Sequence, residues 1–95
     1  MKRITRLSAD LPPFTFEQLH SFAGLVRWGK QAAVTAALGK SQSQVSRDLA
    51  ALESTLGGPV LFDRATRKPT PRGESLLAYA ISVLDGWSRL QMELA

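Results

Sequence analysis

Apolar side chains first fall into step at Phe16, Leu19, Phe22, Ala23 and Val26, a spacing that keeps returning to one side of a helix. Thr15 stands before this run as an N-cap and Gly29 behind it as a stop, so a first helix is expected between them. Upstream, Leu11-Pro12-Pro13 closes an arm over residues 1–13, because paired prolines exclude helix from the residues before them. A short second helix is expected from Gln31 to about Leu38. Alanine dominates it, and Gly39 can take positive φ at its C-terminus.

Ser41-Gln42-Ser43-Gln44 opens a third helix. Ser41 and Gln44 are placed as in a capping box: the hydroxyl accepts from the Gln44 amide N–H, and the Gln44 side chain reaches back. Val45, Leu49, Leu52 and Leu56 follow at spacings of 4, 3 and 4, one apolar stripe, before Gly57-Gly58-Pro59 ends the helix. Two short helices joined by a brief glycine-containing turn predict a helix-turn-helix. Val60-Leu61-Phe62 then reads as a strand and Arg67 to Thr70 as its return, around the polar turn Asp63-Arg64-Ala65-Thr66. This small hairpin is a wing, and Pro69 confines its second strand to an edge.

Thr70 as N-cap and Pro71 at the first helical position start a last helix, from about Arg72 to the C-terminus. Leu76, Ala80, Val83, Trp87, Leu90 and Leu94 recur along it at spacings of 4, 3, 4, 3 and 4, the period of a helix-helix seam. Leu77, Ile81 and Leu84 form a second stripe. A small domain has little core to offer so long a helix, so the six-residue stripe is the expected homodimer interface. The predicted fold is mainly α. A winged helix-turn-helix of three helices and a short β-hairpin occupies residues 14–71, and a dimerisation helix occupies 72–95.

Stepping around the third helix away from its apolar stripe, Ser43, Arg47, Ala50 and Ser54 point outward, with Gln44, Ser46 and Ala51 beside them. The N-terminal part of such a helix enters the major groove. The expected DNA-facing set there is Ser41, Gln42, Ser43, Gln44, Ser46, Arg47 and Ala50. Gln44 suits a bidentate contact with adenine, and Arg47 one with guanine. Asp48 lies near the inward side and is not expected to touch DNA. Lys30 and Lys40 bracket the second helix, while Arg64, Arg67, Lys68 and Arg72 surround the wing. These six are the expected phosphate contacts.

Charge sharpens this picture once it is divided along the chain. Residues 1–72 hold eleven Lys/Arg against five Asp/Glu, and residues 73–95 hold one against three, so the positive charge sits with the helix-turn-helix. Lys2, Arg3 and Arg6 make the arm basic and, in the free protein, flexible. At 95 residues the chain suits one domain. The absence of cysteine excludes disulfides and thiolate zinc sites. No apolar run is long enough for a membrane span, and the basic start lacks the apolar stretch of a signal peptide, so the expected compartment is the cytoplasm, at the nucleoid. His20 is the single histidine, and neither paired carboxylates nor a glycine-rich phosphate loop accompanies it. An enzyme is not expected, nor a cofactor or metal.

The residues Phe16-x-x-Leu19-x-x-Phe22, Gly29 and Leu38-x-x-Ser41-Gln42-x-x-Val45-Ser46-Arg47-x-Leu49-x-x-Leu52-Glu53-x-x-Leu56-Gly57 carry a family resemblance. Together with Leu61-Phe62-Asp63-Arg64 and Thr70-x-x-Gly73, they resemble the N-terminal domain of LysR-type transcriptional regulators. The resemblance covers about residues 14–80. It implies a winged helix-turn-helix, a linker helix that dimerises antiparallel, and a dyad-symmetric, AT-containing promoter site. The sequence departs from the family by an insertion around Gly58-Pro59-Val60, a shortened wing from Arg64 to Thr70, and Val34-Thr35 where an alanine pair is usual. It also stops where the family's effector-binding domain would begin. Either it is cut at the linker helix or it is a stand-alone regulator; the latter is the expectation, and with it no small-molecule effector. Two alternatives to a site-specific homodimer are a dimerising partner that modulates a full-length relative and a low-specificity architectural DNA-binding protein. Gln44, Arg47 and the basic wing favour direct DNA binding.

Overall fold

A computed structural model describes residues 11–57 and 60–95. Lys2, Arg3 and Arg6 of the expected arm lie outside the described residues. The elements run α1 (Phe16–Trp28), α2 (Gln31–Leu38), α3 (Gln42–Thr55), β1 (Phe62–Asp63), β2 (Lys68–Pro69) and α4 (Pro71–Leu94). This is the mainly helical winged helix-turn-helix that the sequence predicts.

Local chemistry sets the helix boundaries. Thr15 caps α1 with a complete capping box: Thr15 Oγ1 accepts from Gln18 N, and Gln18 Oε1 accepts from Thr15 N, both at 3.1 Å. The box expected at Ser41 is only half made. Ser41 Oγ accepts from Gln44 N at 3.1 Å, but the Gln44 side chain turns away to Asp48 and Arg47. The Gln44 carbonyl that would accept from the Ser41 N–H accepts instead from the charged Arg47 guanidinium, a stronger donor, while Asp48 one turn further along takes its amide N–H. Gly39 closes α2 at φ 70, which places α3 across it; a side chain there would strain the turn.

The hairpin is shorter than expected: its first strand ends one position later, inside the expected turn, and its second lies within the expected return. Phe62 pairs with Pro69 and Asp63 with Lys68, while Val60 stays outside the ladder and exposed. Pro69 has no N–H to extend the pairing. Asp63 organises the turn: its Oδ1 accepts from Ala65 N at 2.9 Å, and Arg67 N donates to the Asp63 carbonyl at 2.7 Å with Arg67 at φ 59. The wing is bolted to α4. Thr70 Oγ1 caps Gly73 N and also donates to the Val60 carbonyl at 2.8 Å. A Cβ at Gly73 would collide with the Leu61 carbonyl, so only glycine lets helix and wing come this close.

The core gathers Leu19, Phe22 and Leu25 of α1, Val34 of α2, Val45, Leu49 and Leu52 of α3, Leu61 and Phe62 of the wing, and Leu76 and Ala80 of α4. The last two correct the expected interface. Leu76 and Ala80 are 8% and 0% exposed and belong to the domain's own core, with Val83 packed partly against it. Trp87, Leu90 and Leu94 of the same stripe remain exposed. The stripe is continuous along the helix, but the globular body covers only its first half.

Candidate nucleic-acid interface

The outward face of α3 carries Gln42, Ser43, Ser46, Arg47 and Ala50, all exposed, with Ser41 exposed at its start. Gln44 is half-buried at the edge of this face. The sequence-predicted set is therefore brought together on one surface, with the wing on one side. Ser43, Ser46 and Ala50 around Arg47 are small, so the helix backbone can approach a groove closely.

A buried polar cluster underlies the α2–α3 turn. Asp48 Oδ2 accepts from Ser21 Oγ at 2.6 Å and from Lys40 Nζ at 3.1 Å. Lys40 Nζ also donates to Ser21 Oγ at 2.7 Å and to the Glu17 carbonyl at 3.0 Å. Burial alone would push the Asp48 carboxyl up; hydrogen bonds from Ser21, Lys40 and Gln44, together with the Lys40 charge, outweigh it and hold it below its ordinary 3.8. Lys40 is thereby removed from the expected phosphate contacts, since its ammonium is enclosed in this ion pair. Sequence reasoning turns Asp48 inward but does not find the pair. The available signal is a carboxylate beside an apolar stripe, which requires a cation, with Lys40 eight residues away.

A second cluster lies between α2, α3 and the wing. A guanidinium has only donors, so the Gln31 carbonyl turns to Arg64, accepting from its two Nη atoms at 3.3 and 3.2 Å. The Gln31 amide then donates to Ser46 Oγ at 3.2 Å. Arg64 is thus aligned against the recognition helix, while Arg67 and Lys68 stay exposed on the wing and Lys30 stays exposed at the start of α2. Arg72 departs from its expected place at the wing: it turns back, and its Nη2 donates to the Leu56 carbonyl at the end of α3, at 3.2 Å. There it stabilises the negative end of a helix rather than standing free beside the hairpin.

Residues 16–74 match the family described as bacterial regulatory helix-turn-helix protein, lysR family. The chain belongs to the LysR family. Its relatives include a probable hydrogen peroxide-inducible genes activator of Mycobacterium xenopi, 40% identical over 73 residues that span 75% of this chain and 38% of the relative. Among solved structures, the oxidized form of Corynebacterium glutamicum OxyR superposes with a TM-score of 0.77 at 34% identity, covering 90% of this chain and 28% of that one. A further LysR family transcriptional regulator gives 0.72 at 32% identity over 87% of this chain and 30% of its own. This LysR-family chain therefore spans well under half the length of the relatives it matches, in the region of their helix-turn-helix. Membership places it among bacterial regulatory helix-turn-helix proteins.

Proposed function

We propose that the chain binds a dyad-symmetric DNA site as a homodimer, with α3 of each copy in a major groove and each wing over the flanking phosphates. The observation that carries this reading is the α3 face. It is exposed and polar, and Arg47 stands on it with its guanidinium braced at 3.0 Å by Gln44. Arg47 is suited to a guanine, and Lys30, Arg64, Arg67 and Lys68 flank it as phosphate ligands. Pairing of two copies is supported by the exposed half of α4. Trp87, Leu90 and Leu94 there are 55%, 43% and 71% exposed, and Trp87 and Leu90 join Phe16, His20 and Val83 along an open groove of about 770 Å³. Among the described residues no helix is long and apolar enough to cross a membrane. The proposed place of action is the cytoplasm, on the nucleoid.

Two substitutions divide the roles. Arg47→Ala is expected to cost about 1–3 kcal/mol on the selected site and to relax preference at one base pair per half-site. Lys68→Ala is expected to weaken every duplex alike and to lower the salt slope by about one. Salt-titrated competition between the selected site and bulk DNA measures both. Equal affinity of the native protein for the two duplexes would make this a low-specificity binder and sink the proposal.

A further inference from the structure

Arg47 is exposed on α3, and an arginine side chain in the open has many rotamers to lose before it can hold a base. This one is already held. Gln44 stands three residues before Arg47 and four before Asp48, so on the helix surface its side chain lies between the two. Gln44 Oε1 accepts from Arg47 Nη2 at 3.0 Å, and one hydrogen of Gln44 Nε2 goes to Asp48 Oδ1 at 2.7 Å. The reverse orientation would set the carbonyl against a carboxylate and the amide N–H against a guanidinium, so both neighbours select the same one. Asp48 is itself fixed. It is 3% exposed, and its Oδ2 accepts from Lys40 Nζ at 3.1 Å and from Ser21 Oγ at 2.6 Å. A run of hydrogen bonds thus leads from a buried ion pair to the tip of the exposed arginine.

We infer that Gln44, and the buried Asp48 that anchors it, are positioning residues that aim Arg47 at the base pair it reads. This rests on the DNA-binding reading above and adds two specificity determinants to it. The cost of ordering a long side chain falls only where that side chain makes its contact. A duplex that lacks the pair read by Arg47 never charges that cost. Ordering Arg47 in advance therefore strengthens the preferred site and leaves other duplexes as they are, a gain in discrimination rather than in general affinity. The second N–H of Gln44 stays free, so a direct contact from Gln44 to a neighbouring base can accompany the brace. The brace is accordingly read at the pair that belongs to Arg47.

Asp48→Asn removes the anchor at a buried position. Lys40 and Ser21, both donors toward that end, hold the new carbonyl. The new amide faces Gln44 and turns it over, so that Arg47 meets an N–H it cannot bond. Gln44→Ala removes the brace itself at a half-buried position and serves where Asp48→Asn does not fold. Sites are selected by the native protein from a randomised duplex library, and the pair that Arg47 reads is the one whose preference Arg47→Ala abolishes. Discrimination at that pair is measured by competition between the selected duplex and the same duplex with that pair changed. It should fall about two- to tenfold in Asp48→Asn and in Gln44→Ala, while affinity for bulk DNA stays near native. In an Arg47→Ala background neither substitution should lower it further. In the free protein, nitrogen relaxation should show the Arg47 Nε–H order parameter dropping in both variants toward that of the exposed Arg89. Discrimination unchanged in a folded variant, an equal loss on every duplex, or a loss that persists without Arg47 would leave a structural role only and overturn the inference. An order parameter that does not drop would overturn it equally. If the native protein selects a site but Arg47→Ala leaves every preference intact, the inference alone fails. If the native protein selects no sequence at all, the DNA-site reading falls with it.

Discussion

Three donors converge on the Asp48 carboxylate, and what they contribute depends on its charge. The folded protein holds that carboxyl below its ordinary value of 3.8, so the contribution is complete above that value and is lost as pH falls through the lower, folded one. Melting temperature followed downward from neutral pH should therefore fall in that range, and Asp48→Asn should flatten the fall. The same acid slope in both proteins would assign the loss to other carboxylates. The inward direction of Asp48 is legible in the sequence, because it follows from counting around the α3 stripe. Its partners are not. Ser21 lies 27 positions away on α1, and the Lys40 side chain looks like any exposed cation until the α2–α3 turn bends it inward. For the same reason Gln44 reads in the sequence as a free amide suited to both edges of adenine. The bond that gives one of its N–H groups to Asp48 is a tertiary fact.

Capping chemistry is local, and the helices are accordingly the most legible elements. Thr15, Ser41 and Thr70 each accept from the backbone N–H three residues on, as their positions before an apolar run require. The hairpin is less legible. Its strands are two residues each, and which two depends on Glu53 accepting from Leu61 N at 3.2 Å and on the Thr70 anchor, neither of which has a sequence period. Thr70 joins the two elements, since one hydroxyl both caps α4 and ties down the wing. Thr70→Ala should lower stability by about 1–2 kcal/mol in chemical denaturation. Thr70→Ser should restore most of that loss. If serine fails where threonine succeeds, the methyl group matters more than the hydroxyl and the capping account is wrong.

Across the whole molecule, charge and exposure separate the chain into two ends. Lys30 before α2, Arg47 on α3 and Arg64, Arg67 and Lys68 of the wing are exposed, and the uncovered apolar half of α4 lies at the far end of the chain. The period of α4 is legible in the sequence, but the way its stripe is shared is not. A single repeat serves the core through Leu76 and Ala80 and then leaves the body, and only the folded dimensions show where. The proposed dimer accordingly depends on Trp87 and Leu90. Replacing both with Glu should yield monomers in sedimentation analysis while the melting temperature stays close to native. A dimer of unchanged mass would move the interface elsewhere.

The Gly73–Leu61 contact makes α4 a lever with a stiff fulcrum. No side chain cushions that contact, and Thr70 clamps the adjoining turn to the wing, so the buried start of the helix and the hairpin tilt together or not at all. From Ala80, the last fully buried position, to Leu94 the free arm is about 21 Å long, so a tilt of roughly 10° moves its tip by about 4 Å, close to the 3.4 Å between successive base pairs. In a dimer joined along those free arms, small changes in how the two levers cross would shift the two copies of α3 by about one base-pair step along the axis. A single inserted base pair also turns one half-site by about 35° around the axis, so duplexes that differ by one should bind with modestly lower affinity, and gel-shift titration over a spacing series measures it. A sharp loss at one extra base pair would mean that the arms meet as a fixed joint.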